Sequence, residues 1–249
     1  MKIRLINLDR HEDRLAHMRE QLAGVAFERL PALDGAQATA SSGGLSRAEL
    51  GCLASHRAAW RLFLEGPDTH VCILEDDLRL KPGFADLVRE ADWVPADAHA
   101  VKLDTYLQKV RLGEGRGGPQ GRELARLYTR HESAAAYVAT RVGAERFLEL
   151  TASASLPVDY AIFPKYPRRL GLRIYQLNPA IAIQDHLRPA QDGAPAFATS
   201  MTDRQARKRP MGSKLRREAG RLVEQAADLA DAAYLEWVVK ARSTIVEAG

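Results

Sequence analysis

The segment His70–Leu80, HVCILEDDLRL, sets three consecutive carboxylates, Glu75, Asp76 and Asp77, directly after a short apolar run. Such a run reads as a buried strand. Acids at its carboxyl end sit at the crevice where open α/β sheets bind ligands. Three adjacent acids repel one another, so a positive partner is expected nearby. A hard divalent cation such as Mg²⁺ or Mn²⁺ suits carboxylate oxygens and can clamp a diphosphate. The competing reading is a solvated acidic turn. Along an extended chain Glu75 and Asp77 point the same way.

The elements that must position these acids follow from pattern. Lys2–Leu8 reads as a first strand, and Asp9 as the cap of a helix with Leu15, Met18 and Leu22 on its apolar face. Phe27–Leu30 reads as a second strand ended by Pro31, with a turn at Leu33-Asp34-Gly35 and a small, polar loop at Gln37–Gly44. Ser46 and Glu49 match a capping box opening a helix that runs to Glu65, where Gly66 and Pro67 stop it. Strand His70–Leu74 precedes the acids. Phe84–Ala91 reads as a helix, Ala100–Leu103 as a strand, Gly113–Gly121 as a loop or hairpin tip, and Leu124–Tyr128 and Ala134–Ala139 as strands. Thr140 is placed to cap a helix through Leu150, and Leu172–Leu177 and Ala180–Ile183 read as late strands. This alternation defines an α/β class. From Ser213, apolar positions recur at spacings of four and three, predicting an amphipathic helix that ends near Trp237 or Lys240 and docks on its own domain in preference to a membrane or partner.

The 249 residues suffice for one large α/β domain or for one domain plus an extension. Cys52 and Cys72 are the only cysteines, and apolar neighbours make both buried free thiols rather than a disulfide or zinc site. The opening residues lack an apolar signal core, and no stretch approaches the ~20 apolar residues that span a bilayer. A cytoplasmic protein is expected. Net charge is +4, unevenly placed: Asp203–Arg221 holds eight basic and two acidic residues, giving +6, which leaves −2 for the rest. That segment attracts phosphate-rich partners such as nucleic acid or anionic lipid.

Several blocks share one order with a known family. Ile6-Asn7-Leu8-Asp9-Arg10 with Arg14 comes first, then Pro31-Ala32-Leu33-Asp34-Gly35, then Leu45-Ser46, Glu49-Leu50-Gly51-Cys52 and Ser55-His56. Ile73-Leu74-Glu75-Asp76-Asp77 and Phe84 follow. Together they resemble glycosyltransferase family 25, which includes bacterial lipopolysaccharide and lipooligosaccharide galactosyl- and glucosyltransferases and the collagen galactosyltransferases. The likeness runs over about residues 1–184 and is densest before residue 85. It implies a GT-A-like architecture: a Rossmann-like nucleotide-binding sheet with flanking helices over residues 1–200, followed by a basic segment and C-terminal amphipathic helix over 201–249. It also implies a UDP-hexose donor, Mn²⁺ (or Mg²⁺), a saccharide or lipid-linked glycan acceptor, and inversion at the anomeric carbon.

The resemblance, for the acid triplet, the matching blocks and Asp159, and position in the chain, for Lys102 and His186, suggest roles residue by residue. Asp77 is the leading metal ligand, Asp76 the next, and His186 a late one, while Glu75 hydrogen-bonds ribose. Arg10 and Arg14, four apart on one helix face, grip phosphate or are solvated. Asn7 reads the uracil edge or closes a turn. Asp34, Gly35, Ser55 and His56 fall in the donor-binding blocks, although a lone helical histidine is also a common structural feature. Lys102 neutralises donor phosphate. Inversion needs a base. Asp159, in Pro157-Val158-Asp159, resembles the family's later acid and competes with a helix-cap role. Glu49 and Asp104 are its rivals, Glu49 having a capping alternative.

Two other classes compete with this reading: a nucleotide-sugar-binding protein without turnover, and a basic nucleic-acid- or membrane-binding protein. The intact acid triplet opposes the first. The basic run lacks interleaved aromatics, so nucleic acid is not expected as a partner. An anionic membrane surface, met by residues 203–221 at the inner face of the cytoplasmic membrane, remains a candidate partner.

Overall fold

The computed structural model describes residues 1–37, 44–188, 197 and 228–249. Its strands are β1 (Lys2–Asn7), β2 (Glu28–Pro31), β3 (His70–Glu75), β4 (Leu78–Leu80), β5 (Ala100–Lys102), β6 (Asp104–Thr105), β7 (Lys109–Gly117), β8 (Glu123–Leu127), β9 (Ala136–Thr140), β10 (Ile174–Asn178), β11 (Ala182–Gln184) and β12 (Arg242–Ile245). The α-helices are α1 (Glu12–Gln21), α2 (Arg47–Glu65), α3 (Phe84–Leu87), α4 (Arg141–Leu150) and α5 (Val158–Ile162).

The pleat of the central strands divides their apolar side chains between two cores. Ile3, Leu5, Cys72 and Leu74 join one cluster, and Ile6, Val71 and Ile73 join the other. With both faces covered, such strands read as continuous apolar runs rather than alternating ones. Nine strands pair in the order β12-β7-β8-β10-β5-β9-β3-β1-β2. β1 lies parallel to β2 and β3, with Asn7 beside Pro31 and Ile6 beside Glu75. Three carboxyl ends therefore open on one edge. A second sheet, β4-β11-β6, closes that edge from beyond the acids. The α/β class expected from the pattern holds.

Helix α2 begins with the expected capping box. Ser46 Oγ accepts the Glu49 N–H at 3.2 Å, and the Glu49 carboxylate accepts the Ser46 N–H at 2.8 Å. Two glycines let the Asp34 turn lie flat on this helix. A Cβ on Gly35 would sit 1.7 Å from the Arg47 carbonyl oxygen, and one on Gly51 would sit 2.5 Å from that of Leu33. No larger residue fits either contact.

Some boundaries differ from expectation. The helix expected over Phe84–Ala91 closes after one turn at Leu87. The glycine-rich stretch expected as a loop or hairpin tip does hold the tip of a hairpin, at Pro119–Gly121, but its first half is strand: β7 runs through Gly113, Gly115 and Gly117. Cross-strand pairing with β8 carries residues whose own propensity is poor. His11, not Asp9, caps α1, and Asp9 instead pairs with Arg29.

The basic run 203–221 and the start of the expected C-terminal helix lie outside the described residues. Residues 228–233 are helical and continue into a π-helical turn, Tyr234–Val238. The chain then enters β12, which pairs antiparallel with β7. The segment 201–249 is thus not wholly an appendage, because its last strand is the outer strand of the main sheet. Among the described residues no helix is long and apolar enough to cross a membrane.

Candidate active site

A cleft of about 420 Å³ opens at the carboxyl ends of β1 and β3. Asn7, Arg10, Arg14, Asp34, Gly35, Ser55, Glu75, Asp76, Asp77, Asp159 and His186 all line it. Sequence separations of up to 179 residues are thereby closed around one volume.

The three adjacent acids occupy three different environments. Strand β3 ends at Glu75, so Asp76 and Asp77 lie in the turn to β4 rather than continuing the alternation. Glu75 Oε1 accepts from His56 Nε2 at 3.1 Å and from Cys52 Sγ at 3.6 Å. Burial opposes its charge, but the His56 and Cys52 hydrogen bonds and the Lys102 charge outweigh that and hold its carboxyl below the usual range. Asp76 accepts from Asn7 Nδ2 at 2.7 Å and Arg14 at 3.1 Å. Asp77 is buried and accepts the Gln184 amide at 3.1 and 3.2 Å. Burial, then the Glu75 charge, push it up to about 7 against that amide. It is the member of the triplet with the least compensation.

This chemistry fits a hard cation at Asp77. Its oxygens border the cleft and its charge is opposed by its surroundings, which a divalent ion would reverse. His186 also faces the cleft, with Nδ1 buried and, among the described residues, without a hydrogen-bond partner. Asp76 is committed to Asn7 and Arg14. The expected set Asp77, Asp76 and His186 is not already drawn together. Among the described residues, the one group of three or more potential ligand atoms within 4.8 Å of one another is Cys52, His56 and Glu75.

Asp159 lies in the first turn of α5, after Pro157 at the cap position, so the helix-cap role expected as its alternative falls to Pro157. Its carboxylate accepts the Tyr160 N–H at 3.0 Å and the Ser133 N–H at 3.3 Å. Ser133 takes a left-handed φ of +73° and is buried, so the turn presenting that N–H is held by its surroundings. Ser133 Oγ donates to Asp104 at 2.6 Å, and Lys102 Nζ donates to Asp104 at 2.8 Å and to the Ser133 carbonyl.

Four expected site residues do not border the cleft. Lys102 is fully buried in that network, and burial lowers its pKa, so it supports the Asp159 wall instead of reaching phosphate. Glu49 is consumed by the capping box, and Asp104 by Lys102 and Ser133. His56 is fully buried behind Glu75. Ser55 reaches the cleft wall, yet its hydroxyl accepts the Leu33 N–H and donates to the Gly51 carbonyl. Arg10 pairs with Asp34 at the rim. Missed by sequence were Gln184, Ser133 and Tyr106, which lines the cleft with its ring 6.5 Å from that of His186. No motif read from the sequence includes them, although Gln184 lies two residues before His186.

Residues 1–162 match glycosyltransferase family 25 (LPS biosynthesis protein), and the chain belongs to this family. It is 31% identical over 143 residues to a putative glycosyltransferase of Haemophilus influenzae, covering 57% of this chain and 50% of the relative. It is 30% identical over 151 residues to the lacto-N-neotetraose biosynthesis glycosyltransferase LgtB of Neisseria meningitidis serogroup B, covering 57% and 55%. The chain thus spans about half the length of the curated relatives it matches. A solved glycosyltransferase involved in glycosylation of the major capsid of PBCV-1 aligns with a TM-score of 0.42 at 10% identity, over 74% of this chain and 93% of that one.

Proposed function

We propose that this chain is a glycosyltransferase of lipooligosaccharide or lipopolysaccharide synthesis. It moves a hexose, galactose or glucose, from a UDP-sugar to a saccharide or lipid-linked glycan acceptor with inversion. The observation that carries this reading is the meeting of Asp77 and Asp159 in one cleft. One is an under-compensated carboxyl suited to a cation, and the other is a carboxylate oriented by two backbone N–H groups. Family membership supports it.

Asp77, with His186 as a further ligand, would hold Mn²⁺ or Mg²⁺. The ion would offset charge developing on the departing diphosphate, where stabilisation raises rate rather than mere binding. Arg14, already beside Asp76 at the floor of the cleft, and Arg10 at its rim supply positive charge for phosphate oxygens. Glu75 accepts a ribose hydroxyl. Asp159 takes the proton of the acceptor hydroxyl as it attacks the anomeric carbon.

The test is a donor screen by thermal melting. UDP-galactose, UDP-glucose and their N-acetyl forms are compared with and without Mn²⁺, followed by transfer assays with glycan acceptors. Ligands that bind only the folded state raise the melting temperature by mass action. A Mn²⁺-dependent rise with a UDP-hexose, followed by transfer, is expected. Stabilisation without turnover on any acceptor would favour a binding protein. No response to any UDP-sugar would overturn the reading.

A further inference from the structure

Behind the acid triplet runs a line of buried polar groups whose direction is fixed by chemistry. Cys52, His56 and Trp60 recur every four residues on one face of α2, and Tyr137 projects onto them from β9. His56, Trp60 and Tyr137 are fully buried. Trp60 Nε1 lies 2.8 Å from Tyr137 Oη, Tyr137 Oη 2.9 Å from His56 Nδ1, and His56 Nε2 3.1 Å from Glu75 Oε1. The His56 and Tyr137 rings stack at 5.8 Å and 17°.

An indole N–H can only donate, so the phenol oxygen accepts it. The phenol hydrogen then goes to its other partner, His56 Nδ1, which must offer a lone pair. The histidine proton therefore sits on Nε2 and points at Glu75. With the proton on Nδ1, two donors would converge on the phenol oxygen and leave its hydrogen without an acceptor among these groups. A bare Nε2 would also face a carboxylate lone pair. The reverse arrangement thus strands one proton and opposes two acceptors in a dry interior.

We infer that Trp60, Tyr137 and His56 are positioning residues that hold Glu75 as an oriented acceptor for the nucleotide part of the donor. The line loads Glu75 Oε1 with two donors, His56 and the Cys52 thiol, which leaves the acceptor capacity of Oε2 to a hydroxyl in the cleft. The same direction opposes a metal ion at Cys52, His56 and Glu75, despite their 4.8 Å grouping, because Nε2 would have to surrender its proton. The role in nucleotide binding rests on the proposed UDP-sugar reading, while the tautomer does not.

The tautomer is read by long-range ¹H–¹⁵N correlation of the imidazole nitrogens in the ¹⁵N-labelled full chain at pH 7.5, with His56→Gln for assignment. A neutral ring protonated on Nε2 is expected. An Nδ1–H or doubly protonated ring overturns the line, as does tight Zn²⁺ binding that shifts both His56 nitrogens. Binding is then read by calorimetric titration of UDP with Mn²⁺. Tyr137→Phe and His56→Leu should each weaken UDP by about tenfold. His56→Gln, whose amide keeps a donor near the Nε2 position, should restore most of the affinity. Wild-type affinity in both Tyr137→Phe and His56→Leu, or equal loss in His56→Leu and a folded His56→Gln, overturns the positioning role. If the wild type binds no UDP, the donor reading fails and the imidazole spectrum alone decides the line.

Discussion

Asn7 Nδ2 donates to Asp76 Oδ2 at 2.7 Å, tying the last residue of β1 to the middle acid after β3. Parallel pairing of the two strands brings these ends together, and Arg14 on α1 meets the other oxygen at 3.1 Å. The like-charge problem posed by three consecutive acids is thereby solved separately for each. Asp76 is paired from one side with Asn7 and Arg14, Glu75 accepts hydrogen bonds from His56 and Cys52 on the other, and Asp77 retains an amide partner only weakly matched to a charge. The acid best suited to a cation is the one the protein has compensated least.

Asn7→Ala should therefore destabilise the fold. Asn7 is almost fully buried and also donates to the His11 carbonyl and accepts from Arg29. Leaving those groups unsatisfied costs about 1–3 kcal/mol. Urea unfolding measures it, and an unchanged midpoint would remove Asn7 from the framework of the triplet.

Asp77→Asn keeps shape and removes the charge. Transfer and Mn²⁺-dependent UDP binding should both be lost. The fold should survive or gain stability, because a neutral amide no longer meets Glu75 and burial as an ion. Transfer at the wild-type rate would discard the metal assignment.

Asp159→Asn should lower kcat by about 10²–10⁴-fold, the usual share of a general base, with little change in UDP affinity. Activity per folded molecule equal to wild type, with only stability reduced, would assign Asp159 to supporting α5.

Much of this cleft is legible in the sequence because its parts are local. An apolar run ending in acids, a capping box and an Asp-Gly turn each carry their signal within a few residues, and all border or frame the cleft. What fails is whatever depends on long-range contact. Lys102 looks like a free cation after a strand, yet Asp104 and the Ser133 carbonyl absorb it. His56 looks like a helix-surface histidine until Tyr137, 81 residues away, closes over it. Gln184 reaches Asp77 only because β11 pairs with β4, and β7 forms through glycines because β8 and β12 pair with it.

The basic run 203–221 is expected to meet an anionic membrane surface, as a lipid-linked acceptor would require. Basic residues near such a surface contribute about 1 kcal/mol each. Trp237 and Val238, 79% and 67% exposed, offer an apolar contact downstream. Co-sedimentation with anionic vesicles should fall with salt and vanish when the eight basic residues are neutralised. Equal retention on neutral vesicles, or none at low salt, would end this expectation.

His131 should give the fold a pH-dependent stability. Its Nδ1 lies 2.7 Å from the Gln176 side-chain carbonyl oxygen, and its Nε2 accepts the Tyr106 N–H at 3.1 Å. The bond from Tyr106 requires an unprotonated Nε2 and hence the neutral ring, while the bond to Gln176 places its one proton on Nδ1. Burial, then the Lys102 charge, pull its pKa down to about 3 from an ordinary 6.5. In the unfolded chain it takes its proton near 6.5, so between pH 6.5 and 3 the unfolded state binds more protons. Stability then falls as pH falls, by up to ~1.4 kcal/mol per unit from this group. Above 6.5 both states are neutral here and the contribution is fully present. Urea unfolding at pH 7, 6, 5 and 4 should show a shallower slope for His131→Gln than for the wild type. Carboxylates such as Asp185, also held below their ordinary range, affect both proteins alike. Parallel slopes would show that His131 keeps its ordinary affinity for a proton, and that a charged ring is tolerated beside Lys102 and the Tyr106 wall of the cleft.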